Sequence, residues 1–468
     1  MIAKSRLLIA LLVAAVFFME NLDATIITTA IPYMAKDFQT EPTYLSIGLS
    51  SYLVALTVLI PVSGWATDRF GARLIFPMAI IIFTLASILC ACSQNLTWFT
   101  LARVLQGVGG AMMVPVGRLV VLRDTPKSEM VNVIAVLTWP ALTAPLLGPV
   151  LGGWISMHWS WHWIFLINVP LGLLALIAAL YLIRVEARKV GSFDWVGCLL
   201  SGLGFSLFMI GVELASRNDV SVLWTIVVLA MGLIMLIWTI KHMLKVSNPL
   251  FSLLPLKHQT FRLTLLSGSL FRIAIASIPF ILPLMFQLGF GWSAVKAGSM
   301  LLWLFAGNLF MKPFTTSFMR YFGFRNILFT NGLLLGIGFW IMGFFTADLS
   351  TTWLAILLFI AGMTRSVQFT ALNSIAFSDV NNQEMRDATT LFSVVLQMNT
   401  GMGISMGALA IALSTWLYQH FGQLIVHVGI YQLACWFMSL LIFCGLIECW
   451  LLPKQAGAAL LSSHQKNK

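Results

Sequence analysis

Two acids interrupt an apolar run near the start of the chain. Glu20 and Asp23 stand one helical turn apart within residues 7–31, among Asn21, Thr25, Thr28 and Thr29. At 100° per residue, Asn21, Thr25 and Thr28 share one narrow face, with both acids beside it. A charged side chain at the middle of a bilayer costs about 2.5–3.5 kcal/mol, so such an arc must face protein or a water-filled cavity. Asp23 suits either of two roles: a titrating carboxylate on a transport path, or one half of a structural ion pair. Glu20 suits the same proton traffic or a place at the cavity margin.

Three arginines also lie inside apolar runs. Arg103 falls in the run 96–117, with Gln106 and Gly107 one turn later and Gly110 a turn beyond. A buried guanidinium keeps its proton and needs a carboxylate or carbonyls nearby, and Asp23 is one such partner. Arg272 and Arg365 are placed alike in later runs. They either attract an anionic substrate or a carboxylate, or clamp helices through backbone carbonyls. Asn21, Thr25, Gln106, Trp139, Arg272 and Arg365 are the candidate lining of a substrate cavity. Metal chemistry has no support: the six cysteines fit neither zinc spacing nor a disulfide framework. No HExxH or GxSxG stands inside a run, and all seven histidines fall at run ends, in loops or in the tail. An intramembrane enzyme would need a nucleophile–base pair or metal ligands inside the spans, so the residues favour binding and movement over catalysis, with no cofactor expected. A channel would more naturally show rings of charge or repeated filter loops.

Two stretches carry conformational rather than chemical signals. WPALTAPLLGPVLGG holds Pro140, Pro145, Pro149, Gly148, Gly152 and Gly153. The prolines free carbonyls and bend a helix, and the Gly148–Gly152 ridge admits a close neighbour. Together they read as a hinge. GWATDRFGAR supplies Gly64, Asp68, Arg69, Gly71 and Arg73, a charged tight turn at the membrane edge. A weaker copy, MRYFGFRN with Arg320, Gly323 and Arg325, sits at the matching place of the second half and points to an internal repeat.

The elements that must position these residues are membrane helices. Of 468 residues 59% are hydrophobic and 9% charged, and a soluble domain has about 25% charged. Runs long enough to span appear near 7–31, 44–66, 74–92, 96–117, 131–154, 163–184, 195–214, 221–243, 262–286, 295–316, 326–346, 351–373, 388–417 and 429–452, fourteen in all. The first resembles a signal peptide but lacks a clear cleavage site and runs too long, so it counts as a span. With both termini cytoplasmic, 21 of the 27 Lys and Arg fall on the cytoplasmic side and three on the other, which orients the chain. The +11 net charge thus reports topology rather than nucleic-acid binding. The longest breaks bracket spans seven and eight. The expected plan is an all-α polytopic protein: a six-helix bundle over 1–190, an inserted pair over 191–247, a second six-helix bundle over 248–452 and a cytoplasmic tail over 453–468.

Several motifs, in order and on the right helices, resemble the major facilitator superfamily, and within it the fourteen-helix drug:proton antiporter branch. GWATDRFGAR resembles the superfamily's loop motif, with Ala72 where a basic residue is usual. LARVLQGVGGA resembles the fourth-helix motif, which makes Arg103 the proton-linked arginine. GPVLGG resembles the fifth-helix antiporter motif, although Trp139 and Pro140 stand upstream where glycine is frequent. LDATIITTAIP resembles the branch's first-helix signature, with Asp23 as its acid, and WHWIFLINVPLG carries His162 where arginine is usual. Glu20 has no place in that signature. The resemblance implies two bundles rocking about a central cavity that binds substrate near mid-membrane. The expected function is proton-coupled export of small amphipathic or cationic molecules from a bacterial inner membrane. Protons, a small molecule and the bilayer are its partners, with no nucleic acid and no obligate protein partner. The alternative is export of an anionic metabolite or siderophore contacted by Arg272 and Arg365.

Overall fold

A computed structural model describes residues 4–123, 125, 130–184, 193–217, 220–246, 249–381, 384–421 and 429–450. The boundaries expected at 190/191 and 247/248, and the tail over 453–468, lie outside the described residues. Every regular element among those described is helical. The long helices are α1 (Lys4–Ile26), α2 (Ser46–Phe70), α3 (Ala72–Ala91), α4 (Leu96–Arg123), α5 (Met130–His158), α6 (Asn168–Leu182), α7 (Trp195–Ala215) and α8 (Val222–Met243). They continue with α9 (Gln259–Leu284), α10 (Ala294–Met311), α11 (Phe324–Met342), α12 (Thr351–Ala376), α13 (Met385–Phe421) and α14 (Ile430–Trp450). Thirteen segments among the described residues are long and apolar enough to cross a membrane, and they include every one of these helices except α5. The run expected at 131–154 is nonetheless helical, within the 29 residues of α5.

Apolar side chains all round a helix leave position to be set by packing rather than by one polar face. Small residues do much of that work, because lipid gives no hydrophobic drive for helices to associate. On α5, a Cβ added at Gly152 would collide with the Ile26 carbonyl oxygen of α1. One at Gly153 would lie 2.5 Å from the Ala294 carbonyl oxygen of α10. Gly298 of α10 answers from the other side, facing Pro149. So α5 is wedged between a first-half helix and a second-half helix. Thr29 donates to the Pro149 carbonyl at 2.9 Å, and Gln287 donates to the Thr29 carbonyl at 3.2 Å. At this end the halves are closed against each other.

The two tight turns expected from sequence share one backbone conformation. Gly71 has φ 83°, ψ 145° and Gly323 has φ 76°, ψ 158°, a region that only glycine enters without strain. Each glycine N–H caps the preceding helix, to Thr67 at 2.8 Å and to Met319 at 3.0 Å. The repeat proposed from GWATDRFGAR and MRYFGFRN is thus present in the backbone at these two places.

The α7–α8 pair is peripheral. α8 is largely exposed whereas α9 is largely buried, so α8 faces outward while α7 packs inward on α2 and α13. Asp194 starts α7 by accepting from the Gly197 N–H at 2.8 Å. Its other contacts are His242 at the end of α8, 2.8 Å, and the Leu250 N–H, 3.1 Å. Partial burial alone would raise this carboxyl, but these three donors outweigh it and hold Asp194 below the usual carboxylate range.

Candidate functional site

Asp23 sits buried among helices of the first half of the chain, 1% exposed. Its Oδ2 accepts from Arg103 Nη1 at 2.6 Å. Its Oδ1 accepts from Gln106 Nε2 at 2.9 Å and from Asn168 Nδ2 at 2.8 Å. Arg103 also donates to Gln106 Oε1 at 2.6 Å, and Gln106 donates to Ser87 at 2.9 Å. The guanidinium lies 4.4 Å from the centre of the Tyr52 ring, and its Nε reaches the Gly48 carbonyl at 3.4 Å. Five helices, α1, α2, α3, α4 and α6, therefore converge on one carboxylate. Both carboxylate oxygens are occupied, which is the condition for keeping a charge pair in a dry interior.

Glu20, one turn earlier, belongs to a different environment. It lines a cavity of about 1840 Å³ whose walls come from both halves of the chain. The cavity mouth is framed by Gly64 and Asp68 of α2, by Asp194 and by the 249–256 segment; its depth is reached by Glu20, Asn21, Gly110 and Gln397. Glu20 lies beside the Tyr52 hydroxyl, and the Arg103 guanidinium lies over the Tyr52 ring, so one side chain adjoins both the acid of the cavity wall and the buried pair. Arg118, one charge of the same wall, lies over the Phe17 ring at 5.6 Å.

The other candidates divide. Gly64 and Asp68 reach the cavity, whereas Arg69 and Arg73 are exposed outside it. Gly148, Pro149, Gly152 and Gly153 form the α1–α5–α10 contact, with Pro145 one turn before. Of the expected cavity residues, Asn21 lines it. Thr25 instead turns its hydroxyl onto the Asn21 carbonyl at 2.9 Å and faces Gly148. Gln106 is fully buried in the Asp23 cluster, and Trp139 is 61% exposed and not on the cavity wall. Arg272 donates to the Thr264 carbonyl at 3.1 Å and to Asn373 at 3.3 Å, and lies over Phe392. The carbonyl belongs to Arg272's own helix and Asn373 to α12, and Arg272 is not on the cavity wall. Arg365 lies over Phe305 at 5.4 Å, one turn from the cavity residue Phe369. Among the described residues, neither of these arginines pairs with a carboxylate, and no group of side chains could hold a metal.

Sequence reasoning missed Asn168, Tyr52 and Ser87. Asn168 lay inside WHWIFLINVPLG as a polar residue in an apolar run, a usable signal. Ser87 carried none, since a serine satisfies itself on its own helix, as this one does on the Phe83 carbonyl at 2.9 Å.

Comparison with known proteins agrees with this architecture. The chain is 33% identical over 413 residues to the probable transport protein HsrA of Haemophilus influenzae, covering 88% of each chain. It is 34% identical to MdtD of Enterobacter sp. (strain 638), whose name offers it as a candidate for multidrug resistance, over 88% of this chain and 87% of that one. Among solved structures, an inward-facing, unoccupied bacterial homologue of the human lysosomal transporter Spinster superposes with a TM-score of 0.67 over 99% of both chains at 15% identity, which shows a shared fold. Residues 13–398 match the Major Facilitator Superfamily. The chain belongs to that superfamily, and is a multi-pass membrane transporter rather than an enzyme.

Proposed function

We propose that this protein is a proton-coupled exporter of small amphipathic or cationic organic molecules, working by alternating access. The observation that carries the reading is the Asp23–Arg103 pair, 2.6 Å apart and one turn from the Glu20 carboxyl on the cavity wall. A carboxylate so held can trade its arginine for a proton when the cavity changes sides. Glu20 lies in the depth of the cavity that opens to water at its mouth, and an acid on that wall suits a cationic cargo. The curated relative named for multidrug resistance supports that cargo class. Arg272, which is not on the cavity wall, gives the anionic alternative no support.

In this reading α5 is a membrane span, which makes fourteen, arranged as two bundles of six and the α7–α8 pair. Basic residues gather at the cavity-mouth end, among them Arg69, Arg73, Arg262 and Arg320, so the mouth faces the cytoplasm with both termini. The membrane is the bacterial inner membrane. One proton moving inward across 100 mV releases about 2.3 kcal/mol, enough for substantial accumulation. The test is proton-gradient-driven uptake of a cationic dye into everted vesicles by Asp23→Asn, Glu20→Gln and the double variant. Asp23→Asn is expected to bind dye yet fail to concentrate it. Pumping at the wild-type rate by that variant would remove Asp23 as the coupling acid.

A further inference from the structure

A second buried acid lies outside the Asp23 cluster. Glu213, in the last turns of α7, is 1% exposed. Its Oε1 accepts a hydrogen bond from the Ser46 hydroxyl at the start of α2, and its Oε2 has no partner among the described residues. Ser405 of α13 faces the same carboxyl, and its hydroxyl is equally buried. The charge acting on it is Arg217, four residues on and just past the end of α7, whose guanidinium lies 4.6 Å from the centre of the Tyr44 ring. From α8 the neighbour is apolar, Leu229 against Gly211.

What matters is where these helices come from. α2 belongs to the first half and α13 to the second, and α7 lies along the seam between them. Four residues earlier, Met209 meets both: a Cβ at Gly401 of α13 would fall 2.8 Å from Met209 and 3.3 Å from the Leu53 Cβ of α2. α7 starts with Asp194 at the cavity mouth, so Glu213 marks the opposite end, where the halves are closed. If the transporter alternates, this seam must part to open that end.

We propose that Glu213 is a second proton-binding residue of the transporter, one that takes up a proton when the α2–α13 seam closes over it and releases it when the seam opens. An ionised carboxylate enclosed among serines and apolar side chains pays a desolvation penalty that a neutral acid avoids. The neutral acid also gains a donor, and Ser405 supplies an acceptor. An opened seam restores water and the charge. The proton comes from the water at that end and returns to it, so the residue gates the closed end and carries no charge across the membrane. Acid on that side favours the closed seam, and alkali the open one. The inserted pair thus gains a purpose: it brings a proton-sensitive latch to a seam of the two halves.

This proposal rests on alternating access but not on Asp23, and the test separates them. Spin labels on Gln94→Cys (between α3 and α4) and Asp348→Cys (between α11 and α12) report the distance between halves at the closed end by electron–electron double resonance. Both sites are exposed; the exposed Cys92 and Cys444 are replaced by Ser. In otherwise wild-type protein, the long-distance population should grow from pH 5.5 to 8.5, its ratio to the short one rising by up to about tenfold per pH unit for one proton. Glu213→Gln should stay short throughout, as should Glu213→Met, a second neutral variant of similar length, while Glu213→Asp keeps a pH response. A wild-type pH response in folded Glu213→Gln or Glu213→Met overturns the assignment to Glu213 alone. No long-distance population in the wild type at any pH overturns it together with alternating access.

Discussion

Asp23 is held by three donors on two helices, Arg103 and Gln106 of α4 and Asn168 of α6, and each donor has a second duty. Gln106 is the pivot: it gives to Asp23 and Ser87 and receives from Arg103. Gln106→Leu keeps the volume but strips Asp23 and Arg103 of one partner each. A buried polar group left unpaired costs about 1–3 kcal/mol, so the variant should show a clearly lowered melting temperature in detergent. An unchanged melting curve would mean that water replaces the amide. Arg103→Lys is the companion test at this scale. It keeps the charge but loses the planar group whose Nη1 donates to Asp23 and Gln106 while its Nε reaches the Gly48 carbonyl, so uphill transport should fall while the protein still folds. The charged members of this cluster were legible in the sequence, because a charge in an apolar run is costly and therefore rare. The rotation of the helices was not. Thr25, Gln106 and Trp139 read as cavity residues, yet they face Gly148, the Asp23 cluster and the outside respectively, since helices apolar on every side carry no signal of which way they turn.

At the scale of elements, α5 shows what glycine permits. Gly148 lies so close to Thr25 of α1 that any Cβ would clash, and Gly152 and Gly153 continue the contact to Ile26 and Ala294. Gly148→Leu should push α1 from α5 and disturb Asp23 two residues before Thr25. The expected outcome is folded protein at the membrane with export abolished; export at the wild-type level would show that the contact is dispensable to the cycle. The motif's spacing made this close approach readable, but not its second partner. Contact with α10 depends on how the halves dock, and no local pattern encodes that. Asp194 offers a separate test of the inserted pair. As the cap of α7 and the acceptor for His242 and Leu250, it should cost about 1–2 kcal/mol on mutation to Ala. Its carboxyl is held below the usual range, so its share of stability is complete above ordinary carboxylate pH and lost as pH falls through that lowered value. Melting measured from pH 7 downward should therefore converge for the wild type and Asp194→Ala only at strongly acid pH.

For the whole molecule the question is whether the two halves move as bodies. One end holds a cavity of about 1840 Å³, while the other is sealed by α1, α5 and α10 and by the seam of α2, α7 and α13. Such an arrangement has an access path on one side only, so net transport requires the sealed end to part. Leu53 of α2 and Gly401 of α13 allow the movement to be blocked by chemistry. A Cβ at Gly401 would stand 3.3 Å from that of Leu53, and a disulfide needs about 3.5–4.5 Å, so a slight relaxation brings a cysteine pair into bonding geometry. The flexible Met209 terminus, 2.8 Å away, can yield to the new side chain. The Leu53→Cys/Gly401→Cys variant should pump when reduced, stop when oxidised and recover on reduction, with each single variant insensitive to oxidant. The cross-link leaves the cavity and the Asp23 cluster in place, so dye binding should survive in the oxidised protein. Transport by fully cross-linked protein at the reduced rate would mean that the halves do not separate along this seam, and that the sealed end opens elsewhere.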